Sequence, residues 1–164
     1  MGMDEQVMPL VDMANIACGF HASDPLTMTR TVLLAKQSQT QIGAHPSYPD
    51  LIGFGRRSMQ CTDNRKTESI AAEFGIKLLF EAFADRAYEN NGLLRPRNQE
   101  GAVFRSEQQI LEQALLLATE GSVISRNGQR LKLDADTLCV HGDNAESVKA
   151  VRHIRNTFNK LYRC

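Results

Sequence analysis

The chain has 164 residues, 42% of them hydrophobic and 23% charged, the proportions of one soluble globular domain of roughly 100–200 residues. Nineteen Lys and Arg balance nineteen Asp and Glu, which argues against a general nucleic-acid binder, whose phosphate contacts need a basic excess, and against a polybasic membrane anchor. No apolar run approaches the about 18–20 residues of a membrane helix, residues 1–6 have no basic leader region, and Cys18, Cys61, Cys139 and Cys164 form no CxxC pair, so free thiols in a reducing cytoplasm are expected.

In chain order, residues 13–20 are small and mostly apolar and predict a buried strand that ends at His21. Ser23-Asp24-Pro25 reads as an N-cap with Pro in the first turn, opening a helix over 25–39 with Leu26, Val32, Leu33 and Ala35 on its apolar stripe. Residues 41–44 predict a second strand, ending at His45, and the Pro- and Gly-rich run 46–57 reads as a loop. A short helix is expected over 69–74, then a strand over 76–83 that leads into Ala84-Asp85-Arg86, then a long loop over 87–105. Ser106 with Gln109 three residues on has the pattern of a capping box. It opens a helix that carries Ile110, Leu111, Ala114, Leu115 and Ala118 on its apolar face and ends at Gly121. Asn127-Gly128 between two short apolar runs predicts a hairpin. Residues 137–140 predict a last buried strand, followed by His141-Gly142-Asp143 and a helix over 145–161 with Val148, Val151, Ile154, Phe158 and Leu161 on one face. This alternation predicts an α/β fold, with the strands at 13–20, 41–44, 76–83 and 137–140 parallel neighbours in one sheet.

The chemistry is positional. Four of the expected strands end in titratable residues: His21 with Asp24, His45 with Asp50, Asp85 with Arg86, and His141 with Asp143. Active sites of barrels and open α/β sheets gather at the carboxyl ends of parallel strands. Three histidines and several carboxylates on one such edge could run acid–base chemistry or bind a divalent metal, with His21, His45 and His141 as the candidate ligands. A lone strand-end histidine is more often a hydrogen-bonded structural residue, and only the repetition raises the reading to a site. His153 lies within the last helix and reads as a surface residue. The run Gly53-Phe54-Gly55-Arg56-Arg57 lacks P-loop spacing. It reads either as a solvated basic turn or as a loop whose guanidiniums hold a carboxylate or phosphate, and Arg95 and Arg97 invite the same two readings. Cys18 and Cys139 read as inert core residues.

Several of these segments together resemble one family. They are 14–24 (Ala-Asn-Ile-Ala-Cys-Gly-Phe-His-Ala-Ser-Asp), 42–50 (Ile-Gly-Ala-His-Pro-Ser-Tyr-Pro-Asp), Gly53-Phe54-Gly55-Arg56-Arg57, 81–88 (Glu-Ala-Phe-Ala-Asp-Arg-Ala-Tyr), Leu94-Arg95-Pro96-Arg97 and 139–143 (Cys-Val-His-Gly-Asp). In this order they resemble the LamB/YcsF family. The resemblance implies an irregular (β/α) barrel of the glycoside hydrolase/deacetylase type. It implies the role of the A subunit in an ATP-dependent 5-oxoprolinase, which opens 5-oxo-L-proline to L-glutamate while ATP becomes ADP and phosphate. Subunits B and C would be partners, ATP a co-substrate with Mg2+, and a bound divalent metal would be compatible. The catalytic candidates are His21, His45, Asp24, Asp50, Glu81 and Asp85. Asn15, Arg56, Arg57, Arg86, Arg97, His141 and Asp143 are candidates for holding substrate or phosphate.

The chain also departs from the family pattern. It is expected to be a single domain over 1–164 that lacks the family's first strand, with its Asp-Leu-Asn-x-Asp-x-Gly-Glu motif, and an internal segment near 61–69. The family's Lys-Pro-His-Gly-x-Leu-Tyr-Asn motif has no match in the sequence. The barrel is therefore expected to be incomplete, and a homo-oligomer is one way to complete it. The rival readings are a metal-dependent, deacetylase-like carbohydrate hydrolase and a non-catalytic remnant that binds partner subunits.

Overall fold

The computed structural model describes residues 3–19, 23–46, 64–142 and 144–162. Helix α1, Asp4–Val7, runs into a 3-10 turn, Met8–Leu10. Neither was anticipated, because such short turns are held by tertiary packing: Met8 is buried in a cluster with Ile16 and Ala35. Strand β1, Met13–Ala17, is followed by helix α2, Pro25–Gln37, and strand β2, Gln41–His45. Helix α3, Asn64–Glu73, precedes strand β3, Glu81–Phe83. Helix α4 (Glu107–Glu120), the hairpin strands β4 (Ser122–Ile124) and β5 (Arg130–Lys132), strand β6 (Thr137–Cys139) and helix α5 (Ala145–Leu161) complete the order.

The expected helix starts and stops are largely present. Asp24 caps α2, its carboxylate accepting from the backbone N–H groups of Leu26 and Thr27. Asn144 caps α5 by accepting from the Ser147 N–H. Gly121 ends α4 at φ 56°, a left-handed conformation that glycine adopts without steric cost. The capping box at Ser106 is a correction: its side chain makes no cap bond. The hairpin around Asn127-Gly128 is present as β4 and β5, antiparallel.

The single parallel sheet is also a correction. The described strands form three two-stranded sheets, β1 with β2, β3 with β6, and β4 with β5, and among the described residues no sheet closes into a barrel. The first two pairs are parallel, as expected. They remain separate because only 81–83 of the expected 76–83 strand is paired. A run of apolar residues is necessary for a buried strand, but a neighbour must be there to pair with it. The fold is mixed α/β, with two small cores among the described residues. One packs Met8, Ile16 and Ala35 with α2 side chains. The other packs Ala84 against Ile110, Leu111 and Ala114 of α4 and Ala150 and Ile154 of α5, which seats α4 and α5 behind the β3–β6 pair.

Candidate functional site

The carboxyl ends of β3 and β6 carry the most organised cluster of polar groups. β3 runs into Ala84-Asp85-Arg86 and β6 into Val140-His141, and parallel register (Phe83 opposite Cys139) brings the two ends side by side. Asp85 is only 4% exposed. Its Oδ2 lies 2.6 Å from His141 Nδ1 and 3.3 Å from the His141 backbone nitrogen. On the other side of the ring, His141 Nε2 is 2.7 Å from an Arg97 guanidinium nitrogen. A guanidinium only donates, so Nε2 accepts and Nδ1 carries the proton given to Asp85. The ring also stacks on Phe83, with centroids 5.9 Å apart. Imidazole tautomer and orientation are thus fixed from three directions. Asp85 Oδ1 is buried with no hydrogen-bond partner among the described residues.

The loop behind this cluster is tied down by buried polar side chains. The Gln113 amide nitrogen, on α4, donates to the carbonyls of Phe83, Ala84 and Arg86. Tyr88 accepts the Phe83 N–H at its hydroxyl, and burial pushes the Tyr88 phenol above its ordinary pKa. Arg86 is 6% exposed and donates to the carbonyls of Ala102 and Arg95. Burial, more than the neighbouring Arg97, pulls its pKa down. Its donors to these carbonyls hold the 84–104 loop, which carries Arg97, a role that the expectation of a phosphate-holding Arg86 did not include. Gln113 escaped the sequence reading, although a glutamine within the buried stripe Ile110, Leu111, Ala114 was a usable signal.

The other candidates fall elsewhere. Asn15, on β1, donates to Glu81, on β3, and this contact ties the two parallel sheets together. Gly43 lies beneath it, and a Cβ there would collide with the Asn15 side-chain oxygen, so a larger residue would push the Asn15 amide aside. Asp24, expected to be catalytic, spends its carboxylate on the α2 cap and the Thr27 hydroxyl. Those bonds, the Thr27 backbone bond foremost, draw its pKa down. His45 ends β2 beside Ala17, in the sheet that does not hold His141. His153 pairs with Glu107 on the helical side. His21, Asp50, Arg56, Arg57 and Asp143 lie outside the described residues. Among the described residues, no group of three or more His, Cys, Asp or Glu is arranged to hold a metal; of the three candidate ligands, His21 lies outside the described residues. No described helix is long and apolar enough to cross a membrane. Cys139 lies beside the cluster, its thiol pushed up to about 12 mainly by burial, with Glu81 and Asp85 adding to the effect; such a thiol is a poor nucleophile.

This arrangement sits in a chain with clear relatives. A protein of Vibrio vulnificus (strain YJ016) named as the A subunit of 5-oxoprolinase is 40% identical over 227 residues, taking in 98% of this chain and 92% of the relative. A protein of the same name from Chromohalobacter salexigens is 39% identical, with 99% and 92% covered. The alignment with the Vibrio protein exceeds this chain's 164 residues by 63, so at least 63 positions lack a counterpart here. Among solved structures, the lactam utilization protein from Thermus thermophilus superposes with a TM-score of 0.76 at 26% identity, over 98% of this chain and 90% of that one. The LamB/YcsF family pattern matches residues 1–70 and 61–162, and on these findings the chain belongs to the LamB/YcsF family.

Proposed function

We propose that this chain carries the lactam-side part of the site of a 5-oxoprolinase A subunit, acting on 5-oxo-L-proline in a cytoplasmic assembly with subunits B and C. The observation that carries the reading is the Asp85–His141–Arg97 chain of hydrogen bonds at the carboxyl ends of two parallel strands, in a chain whose relatives bear that subunit's name.

A lactam is a resonance-stabilised amide that water attacks slowly. The reaction proposed consumes ATP, accompanied by Mg2+, to phosphorylate the lactam oxygen. Water then adds at the activated carbon, the ring C–N bond breaks with the nitrogen taking up a proton to leave γ-glutamyl phosphate, and a second water displaces phosphate to give glutamate. This chain's residues supply two needs of that sequence. Arg97 offers a guanidinium for the substrate carboxylate or the phosphoryl group. Once Arg97 turns to an anion, His141 Nε2 is released as a base for water, while Asp85 holds Nδ1 and keeps the ring oriented. No step is assigned to a resident metal. His21, Asp50, Arg56, Arg57 and Asp143 are proposed to complete the phosphate side, as the family resemblance implies.

Titration of the chain with 5-oxo-L-proline, followed by nuclear magnetic resonance, tests the reading. Binding is expected, with Arg97→Ala weakening it by about 10- to 100-fold, the worth of a charge-assisted hydrogen bond. His141→Ala weakens it by less. Binding unaffected by Arg97→Ala would refute the assignment of Arg97 and with it the site.

A further inference from the structure

The segment between α3 and β3 is the most exposed apolar stretch among the described residues. Phe74 is 74%, Ile76 59%, Leu78 36% and Phe80 46% exposed, at alternate positions, so that in a strand all four would share one face. Ile76 donates its N–H to the Ala71 carbonyl, and both main-chain groups of Phe80 are engaged with Asp136 and Thr137. The main-chain groups of Lys77, Leu78 and Leu79 have no hydrogen-bond partner among the described residues. β2, on the near side in sequence, is mostly exposed as well, with Ile42 at 46%.

These two elements flank one place. The family pattern matches in two pieces that meet at residues 61–70, and at least 63 positions of the Vibrio vulnificus relative lack a counterpart here. The missing block therefore falls between β2 and β3, and the exposed apolar stretch is the surface it leaves bare. In the relatives that block is part of the same polypeptide, so here its place beside residues 76–80 is open to another chain.

We infer that a second copy of this chain covers it, through antiparallel pairing of residues 76–80 of the two copies about a two-fold axis at Leu78. Main-chain groups alternate in direction along a strand. Those of Phe80 face Asp136 and Thr137, so once 76–80 extends β3 as a strand, those of Lys77 and Leu79 face the open side. Pairing about Leu78 sets Lys77 of one copy opposite Leu79 of the other, where the two exchange main-chain hydrogen bonds. Leu78 then meets Leu78, and Ile76 meets Phe80. The one charge in the segment never meets itself, and the chain's formal net charge of zero offers no repulsion between copies. A self-complementary pairing of this kind closes at two copies, and an exposed apolar edge is the feature that drives it.

Sedimentation equilibrium of the full chain and oxidative cross-linking test the inference together. The expected species has twice the mass of the 18.3 kDa chain, and Leu78→Lys returns it to a monomer with an unchanged circular dichroism spectrum. Leu78→Cys cross-links at least about 10-fold faster than Leu93→Cys, placed at a 66% exposed position elsewhere, because Cα atoms facing each other across a two-fold strand pair fall within disulfide reach. The unsubstituted chain, with its native cysteines, sets the background. A monomer at all concentrations, open-ended association, or cross-linking at Leu78 no faster than at Leu93 would each overturn the inference.

Discussion

Gln113→Leu is expected to be one of the most damaging single substitutions on α4, although it puts an apolar residue of similar size in a buried position. The Gln113 side-chain nitrogen lies 2.8 Å from the Phe83 carbonyl, 3.1 Å from that of Ala84 and 2.8 Å from that of Arg86. One amide offers two hydrogens, so it makes about two full bonds shared among three acceptors. Ala84 is fully buried and Arg86 nearly so, and water cannot replace the lost donor. Leaving a buried acceptor unsatisfied costs about 1–3 kcal/mol, so the loss should be about 2–5 kcal/mol, against a total stability of roughly 5–15 kcal/mol. With a urea slope of about 2 kcal/mol/M, the unfolding midpoint falls by about 1–2.5 M. Gln108→Leu is the control on the same helix, because the Gln108 amide reaches only the exposed Glu112 and should cost at most about 0.5 kcal/mol. Urea titration by circular dichroism reads both. A Gln113→Leu midpoint within about 0.3 M of the parent would refute the claim that this amide holds the turn that presents Asp85.

Gly43→Ala should destabilise the chain by about 1–3 kcal/mol, as overpacking does, because its new methyl must displace Asn15 from Glu81; thermal unfolding reads this. Asp24→Ala should lower the melting temperature modestly through the lost α2 cap while leaving 5-oxoproline binding unchanged, and a large loss of binding would restore Asp24 to the site. Because the Asp24 pKa is lowered on folding, its contribution is present above the ordinary carboxylate value and fades as the pH falls below it. Cys139 should react with Ellman's reagent at pH 8 at least about 100-fold more slowly than a free thiol. Its folded pKa is raised from 9.0 to about 12, so the associated stability is intact below about pH 9 and is lost as the pH rises toward 12. Unfolding followed between pH 8 and pH 11 checks the sign.

The local signals in the sequence carried helices α2, α4 and α5 and the hairpin, but not α1 or the start of α3 at Asn64. Asp24-Pro25, Asn144 and Gly121 mark ends that depend on a few neighbouring residues, and the Asn-Gly turn fixes its own hairpin. Residues 76–80 had the composition of a strand but lacked a neighbour, and pairing is not a local property. The Asp85–His141 pair was half legible: both residues were marked as strand-end polar groups, yet parallel register across 56 positions is what joins them. Asp24 was read both as a helix cap and as a catalytic candidate, and the structure shows the cap; the backbone bonds of Arg86 had no signal in the sequence. A charged residue at a strand or helix end looks alike whether it faces a ligand or ties down backbone, and only burial and hydrogen-bond partners separate the two. His21, Asp50, Arg56, Arg57 and Asp143 fall outside the described residues, and their part in the site stays with the family resemblance.

The most direct measurement is reconstitution. The chain is mixed with subunits B and C, ATP, Mg2+ and 5-oxo-L-proline, and glutamate formation is followed together with ADP release. A lactam-side site without the central block should turn over at least about 100-fold more slowly than a full-length A subunit, since the loss of one transition-state stabiliser commonly costs about 100- to 1,000-fold. Inserting the relative's central block at residues 61–70 should restore turnover, and Asp85→Asn in the restored chain should remove most of it. Turnover by the unaltered chain equal to that of the full-length relative would contradict the account, and so would a restored chain indifferent to Asp85→Asn.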